Sequence, residues 1–406
     1  MIMKKLTWIL LLVALTLNAS TERKHYVTRV YDFVPAPGQF ANKIPYFYAG
    51  EPRDSLIKRA ADAICGRVVI EEYERMDGTL VTDTTLEICP SMVSLGSYGG
   101  YIVFGFDHPV VNVPGEYDFQ IFGNAFQADN SSSSGGSCEP GIVMVSEDVN
   151  GNGIPDDPWY ELAGSEYNHP TTVHGYEITY YMPDENKVKT PNGNFITDTT
   201  YIRWMSNDPD PALREGYIDR LSFHTQPYWP LWYEGETMTF TGTKLRNNYV
   251  NERKPGDPND YFVLHFFDWG YVDNRPDYDW TEPLTDSIQS KCNLGFKIDW
   301  AVNDAGQPAN LRKVDFIKVY SALTQKCGWL GDTSTEVRGG IDIHPDAELP
   351  PLTGDVNGDG DVDVADANLL INMVLGSTKA NSVADVNGDG SVDVADVNTL
   401  INIILN

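Results

Sequence analysis

Asp355-Val-Asn357-Gly-Asp359-Gly360-Asp361-Val-Asp363-Val-Ala-Asp366 recurs thirty residues later as Asp385-Val-Asn387-Gly-Asp389-Gly390-Ser391-Val-Asp393-Val-Ala-Asp396. Each copy has the ligand spacing of a twelve-residue calcium loop. Positions 1, 3 and 5 carry Asp, Asn and Asp, whose hard oxygens converge on one point. Position 6 is Gly360 or Gly390, which permits the sharp turn without Cβ strain. Position 7 ligates through its carbonyl, so Asp361 and Ser391 are free to differ. Position 9 is Asp363 or Asp393. Position 12 is Asp366 or Asp396, where a standard EF-hand has Glu. Leu369, Leu370, Met373 and Val374 follow the first loop at helical spacing, and Gly376 ends the run. Val397, Leu400, Ile401, Ile404 and Leu405 repeat the pattern after the second. No amphipathic helix precedes either loop, so the unit is loop-then-helix, twice. So small a core needs bound metal for much of its folding energy.

Over residues 355–406 this tail resembles a type I dockerin. The resemblance implies a calcium-folded docking module that plugs into a cohesin domain on another protein. It also implies that loop positions 10 and 11, here Val364-Ala365 and Val394-Ala395, help to choose that partner. Many dockerins carry hydroxyl residues there, so this departure bears on which cohesin is recognised. The plainer alternative is a calcium-stapled chain end with no cohesin partner.

Outward from the tail, residues 344–354 (HPDAELPPLTG) read as a linker stiffened by Pro345, Pro350 and Pro351. Residues 24–343 form one long turn-rich region. At the start, Lys4 and Lys5 precede the apolar run Trp8–Leu17, and the small residues Ala19 and Ser20 follow. Residues 1–20 therefore read as a signal peptide, with export to the cell surface or beyond. No Cys stands near the cleavage region, and no second stretch is apolar enough to span a membrane. The 406 residues carry 58 Asp and Glu against 29 Lys and Arg, a net charge of −29. That balance excludes a nucleic-acid partner, which needs a basic face, and favours bound cations. The cysteines at 65, 89, 138, 292 and 327 are odd in number. By proximity, Cys65 with Cys89 and Cys292 with Cys327 is the simplest pairing.

A third oxygen-rich loop lies in the large region. Asp148-Val-Asn150-Gly-Asn152-Gly153-Ile-Pro-Asp156-Asp157 places oxygens at positions 1, 3, 5 and 9 with Gly at 6. Position 12 is Trp159, which cannot chelate, and Glu161 is the nearest acid able to close the site. The pattern predicts a calcium loop between two strands, with an ion-free Asn-Gly turn as the alternative. Strand-like runs at Gly66–Tyr73, Tyr101–Phe106, Tyr117–Phe122, Val173–Tyr181, Glu236–Thr243, Tyr261–Phe267 and Val314–Tyr320 alternate with turn residues. They predict a mostly β fold, a jelly-roll-like β-sandwich, joined to the small α-helical calcium-loop module. Asp54–Cys65 is the best helix candidate in the large region.

No GxSxG, HExxH, GxxxxGK[ST] or GxGxxG pattern occurs, and the seven histidines show no metal-ligand spacing. Tyr228-Trp229-Pro-Leu-Trp232-Tyr233 and the group Trp269, Tyr271, Tyr278 and Trp280 concentrate aromatic rings beside carboxylates. Rings of this kind are either core or flat platforms for a planar ligand, and Trp229, Trp232, Trp269 and Trp280 mark the candidate ligand site.

DFQIFGNAF, EPGIVMVSEDVNGNGIPDDPWYELAGSEY and FKIDWAVN…VDFIKVYSAL…CGWLGDTSTE, together spanning 118–336, resemble a group of exported cell-surface proteins of gut Bacteroidetes. That group is associated with cobalamin uptake, so the resemblance implies a corrinoid-binding surface domain. The resulting expectation is an exported binding protein, with a glycan or corrinoid ligand and a calcium-dependent docking tail. The alternative is a polysaccharide-degrading glycoside hydrolase delivered by its dockerin.

Overall fold

The computed structural model describes residues 23–75, 79–127, 135–253, 260–276, 295–349, 352–358, 360, 362–381 and 383–405. The expected signal peptide, Asp359, Asp361, Trp280 and Cys292 lie outside these. The chain divides into two compact units, one ending at Asp346 and one running from Ala347 to Asn406.

The first unit is mostly β, as expected. Its strands form a six-stranded sheet, two four-stranded sheets, a three-stranded sheet and three two-stranded ribbons among the described residues. The six-stranded sheet runs Arg29–Val34, Tyr101–Gly105, Phe316–Ser321, Gly141–Ser146, Tyr160–Leu162, Ala301–Val302, every neighbour antiparallel. Its central pair is Gly141–Ser146 and Phe316–Ser321, apolar on both faces apart from Lys318, because most of both faces is covered. Val143, Val145, Ile317 and Val319 enter one core with Phe33, Ile102 and Phe104. The alternate residues Ile142 and Tyr320 enter another with Phe267 and Tyr271. Two-residue periodicity thus distributes one strand between two cores.

The helix Arg53–Ile64 closes the first core, burying Leu56, Ala60, Ala63 and Ile64 along one face. A four-stranded sheet of Glu215–Leu221, Ile196–Ser206, Val173–Tyr181 and Thr237–Lys244 builds a third core from Tyr176, Ile178, Tyr180, Tyr201 and Ile218. Tyr228 and Trp229 complete that core. Cys65 forms no disulfide, so the expected Cys65–Cys89 bridge is absent. Sequence proximity did not detect that Cys138 and Cys327 share one buried cluster with Leu264.

In the second unit the helices Val364–Val374 and Val394–Leu405 follow the two loops. Ala367, Leu370, Met373, Val397 and Leu400 bury together with Val356, Ala384 and Val386 from the loop entries. Among the described residues no helix is long and apolar enough to cross a membrane.

Candidate calcium loops and a ligand cleft

In the second tail loop, Asp385 accepts the N–H of Asp389 at 3.1 Å and that of Gly390 at 2.8 Å. Asn387 Oδ1 accepts the Asp389 N–H at 2.8 Å, and Asp389 Oδ1 accepts that of Ser391 at 2.9 Å. Backbone donors thereby fix the oxygens of positions 1, 3 and 5, and each oxygen keeps a lone pair for a cation. Gly388 and Gly390 have φ of 72° and 87°, in the left-handed region where a side chain would be strained. Asp396, wholly buried, accepts from Asn387 at 3.1 Å and from Asp393 at 2.8 Å. Burial raises its pKa, but these backbone N–H groups outweigh it and hold the carboxyl below the ordinary value. An ionised, fixed carboxylate at position 12 suits a hard cation.

The first loop repeats the frame where it is described. Asp355 accepts from Gly358 at 2.7 Å and Gly360 at 3.0 Å. Asp366 accepts from Asn357 and Asp363, both at 2.9 Å. Asp363 also accepts the Ala365 N–H, so Asp363 and Asp366 form a reciprocal cap that starts the helix. Aspartate at position 12 therefore serves the loop and the helix together. Val364, Ala365, Val394 and Ala395 are all exposed.

The loop at 148–157 lies between Gly141–Ser146 and Tyr160–Leu162, which pair antiparallel. The four backbone N–H bonds to its positions 1, 3 and 5 match those of the Asp385 loop, while the position-12 carboxylate bonds of that loop have no counterpart here. Asp148 accepts from Asn152 at 3.0 Å and Gly153 at 2.8 Å. Asn150 Oδ1 accepts from Asn152 at 3.0 Å, and Asn152 Oδ1 from Ile154 at 2.7 Å. The amides of Asn150 and Asn152 both reach Asp156 at 3.2 Å. Glu161 does not close this loop. It sits on the next strand and takes the Thr243 hydroxyl at 2.6 Å.

Glu161 opens instead onto a cleft of about 530 Å³ that also presents Trp159, Tyr167, His174, Asp304 and Lys318. Burial raises its carboxyl to about 7, with the Thr243 bond pulling the other way. His174 packs on the Tyr167 ring at 4.5 Å and meets Thr243 at 3.2 Å. Burial lowers the pKa of Lys318, with Asp32 opposing. No sequence pattern marked this cleft, because its walls come from segments between Met144 and Tyr320.

The aromatic clusters fall elsewhere. Trp229 is 6% exposed within a core, and Trp232 packs between two cores with the Arg53 guanidinium 4.6 Å above its ring. Trp229 offers no face for stacking, which corrects the expectation for that ring, and Trp232 is partly buried with Arg53 over one face. Trp269 is partly exposed and leans on Trp300 at 4.6 Å.

Comparison with known families agrees with the loop geometry at one end of the chain. Residues 353–405 match the dockerin type I domain. Dockerins of this type are calcium-binding docking domains, typically found in extracellular or cell-surface proteins, so the tail is a protein-docking module. The match covers the tail alone. No curated protein matches the chain, and nothing in these comparisons supports the resemblance to cobalamin-associated surface proteins.

Proposed function

We propose that this is an exported, non-catalytic glycan-binding protein whose dockerin tail holds it on a cohesin-type partner at the cell surface. The observation that carries the reading is the cleft, where the rings of Trp159 and Tyr167 stand beside Glu161, His174, Asp304 and Lys318. Sugars bind by laying an apolar ring face on an aromatic side chain while their hydroxyls meet polar groups at the rim. The cleft volume suits one or two sugar rings. A corrinoid would be seated only in part. In this reading the tail takes one calcium ion at each loop, and a third ion at Asp148, Asn150, Asn152 and Asp156 steadies the strand connection that delivers Trp159 and Glu161. The match of that loop's bonds to those of the Asp385 loop supports the third ion.

The test is a thermal-shift screen of the full chain in calcium against a glycan panel and cobalamin. A glycan that raises the melting temperature, and loses about tenfold or more in affinity with Trp159→Ala, is the expected result. Stabilisation by cobalamin alone favours the corrinoid ligand, and no response to either overturns the reading. One observation favours a hydrolase as the second reading: Glu161 holds its proton near neutral pH in the cleft that also contains Asp304. Release of reducing ends by the wild type and not by Glu161→Gln would establish it.

A further inference from the structure

A second pocket, of about 160 Å³, lies against the sheet of Glu215–Leu221, Ile196–Ser206, Val173–Tyr181 and Thr237–Lys244. Strand register builds one wall. Tyr180 stands directly opposite Trp204, and Trp204 directly opposite Gly216, so the three make one cross-strand row on one face. Gly216 leaves the room, since a Cβ there would meet the Trp204 ring at 2.3 Å. Ile178 and Ile218, each two residues along from that row, belong to the same face. The rest of the lining comes from residues 323–326 with Asp332 and Thr333, where a bridge between Lys326 and Asp332 folds the chain back on itself. Among the described residues none lines both this pocket and the cleft at Glu161.

Two buried polar groups in this lining are left incomplete. Asp332 is 8% exposed and Thr333 6%. Asp332 Oδ2 accepts the Ser97 hydroxyl at 2.7 Å, while Asp332 Oδ1 and Thr333 Oγ1 have no hydrogen-bond partner among the described residues. Buried polar groups are rarely left so, because each has given up its bonds to water. Water alone would complete this polar corner. It would not suit the remaining wall, which is made by Ile178, Tyr180, Trp204, Ile218 and Leu323. An occupant that suits both has an apolar face and hydroxyls at its edge, as a sugar ring does. The volume is that of one ring, since an apolar cavity of roughly 150 Å³ takes one benzene.

We propose that this pocket is a second binding site, which takes a single sugar ring with its apolar face towards Trp204 and its hydroxyls on Asp332 and Thr333. The carboxylate accepts from a sugar hydroxyl, and the threonine hydroxyl can donate or accept. The site is independent of the cleft, of the calcium loops and of the tail.

The test uses the full calcium-loaded chain and the methyl glycosides of glucose, galactose, mannose, fucose and N-acetylglucosamine. Saturation-transfer difference NMR finds which of them binds, and titration calorimetry measures it. At least one should bind, and Thr333→Val and Asp332→Asn should each weaken it about fivefold or more. Thr333→Val keeps the side chain's shape and removes a hydroxyl that has no partner in the fold, so its melting temperature without sugar should equal or exceed that of wild type. A Thr333→Val protein that melts well below wild type would show that the fold already satisfies the hydroxyl, which overturns the proposal. If Asp332→Asn does not fold, Thr333→Val decides alone. Binding by none of the glycosides, or equal binding by wild type and Thr333→Val, also overturns it. Binding lost in Trp159→Ala and kept in Thr333→Val would assign the sugar to the cleft instead.

Discussion

The carboxylate of Asp148 accepts the backbone N–H of Gly153 at 2.8 Å, the same bond at the same length that joins Asp385 to Gly390 in the tail. One local sequence pattern thus makes one backbone frame in two unrelated settings, between strands in the first and before a helix in the second. In the full chain, Asp148→Ala is expected to reduce the calcium-dependent stabilisation of the large unit and leave its chelator-treated melting temperature unchanged. Calorimetry with and without chelator checks this. A drop of equal size in both conditions would mean that Asp148 acts only as a turn former.

The tail should lose helix when calcium is removed. Its carboxylates repel one another, and its small core consists of a few side chains from two short helices and the loop entries. Far-ultraviolet circular dichroism of the full chain should show a helical signal that falls with chelator and returns with calcium. Asp355→Ala combined with Asp385→Ala should abolish that response. Helicity that ignores chelator would refute the assignment.

Glu161 predicts a pH dependence of definite sign. Its folded carboxyl titrates near 7, whereas an unfolded glutamate releases its proton near 4.3. Between those values the unfolded state binds fewer protons, so stability falls as pH rises from about 4 to about 7. Glu161→Gln should flatten that part of the profile by an amount on the order of 3–4 kcal/mol. Urea denaturation at a series of pH values measures it. An unchanged slope would show that the carboxyl is already ionised in the fold.

Trp229 and Trp232 should behave as core and Trp269 as surface. Truncation of a buried tryptophan to alanine costs about 3–5 kcal/mol. Trp229→Ala and Trp232→Ala should fall near that range and Trp269→Ala well below it, read by chemical denaturation. Three similar values would contradict the burial of Trp229 and the packing of Trp232 against two cores.

The sequence was most readable where structure is local. A calcium loop places its ligands within twelve residues, so Asp355–Asp366 and Asp385–Asp396 announce their geometry by spacing alone. Every strand candidate lies within two residues of an observed strand at each end, Val173–Tyr181 without any difference, and the helix Arg53–Ile64 within one. The long hairpin partners Ile196–Ser206 and Glu215–Leu221 were missed. Their outward positions carry Thr, Arg and Glu, and the buried positions mix Tyr201, Ile202, Ile218 and Leu221 with the acids Asp198 and Asp219, which breaks the apolar alternation. Repeated Thr and aromatic residues in 196–206 were the signal available. The cleft was illegible because long-range pairing assembles it. Trp229 and Trp232 misled because aromatic density in a sequence does not separate a platform from a core.

The strand Gly141–Ser146, with Val143 and Val145 in one core and Ile142 in another, is a reading frame in three dimensions. Removing or adding a single residue within it would send each side chain into its neighbour's compartment, so two cores would be lost from one slip. Substitutions that keep size and polarity should be absorbed there, while changes of length should not. Relatives of this chain that vary in length should therefore do so outside this strand and its partner Phe316–Ser321, in connections such as the loop that follows Ser146.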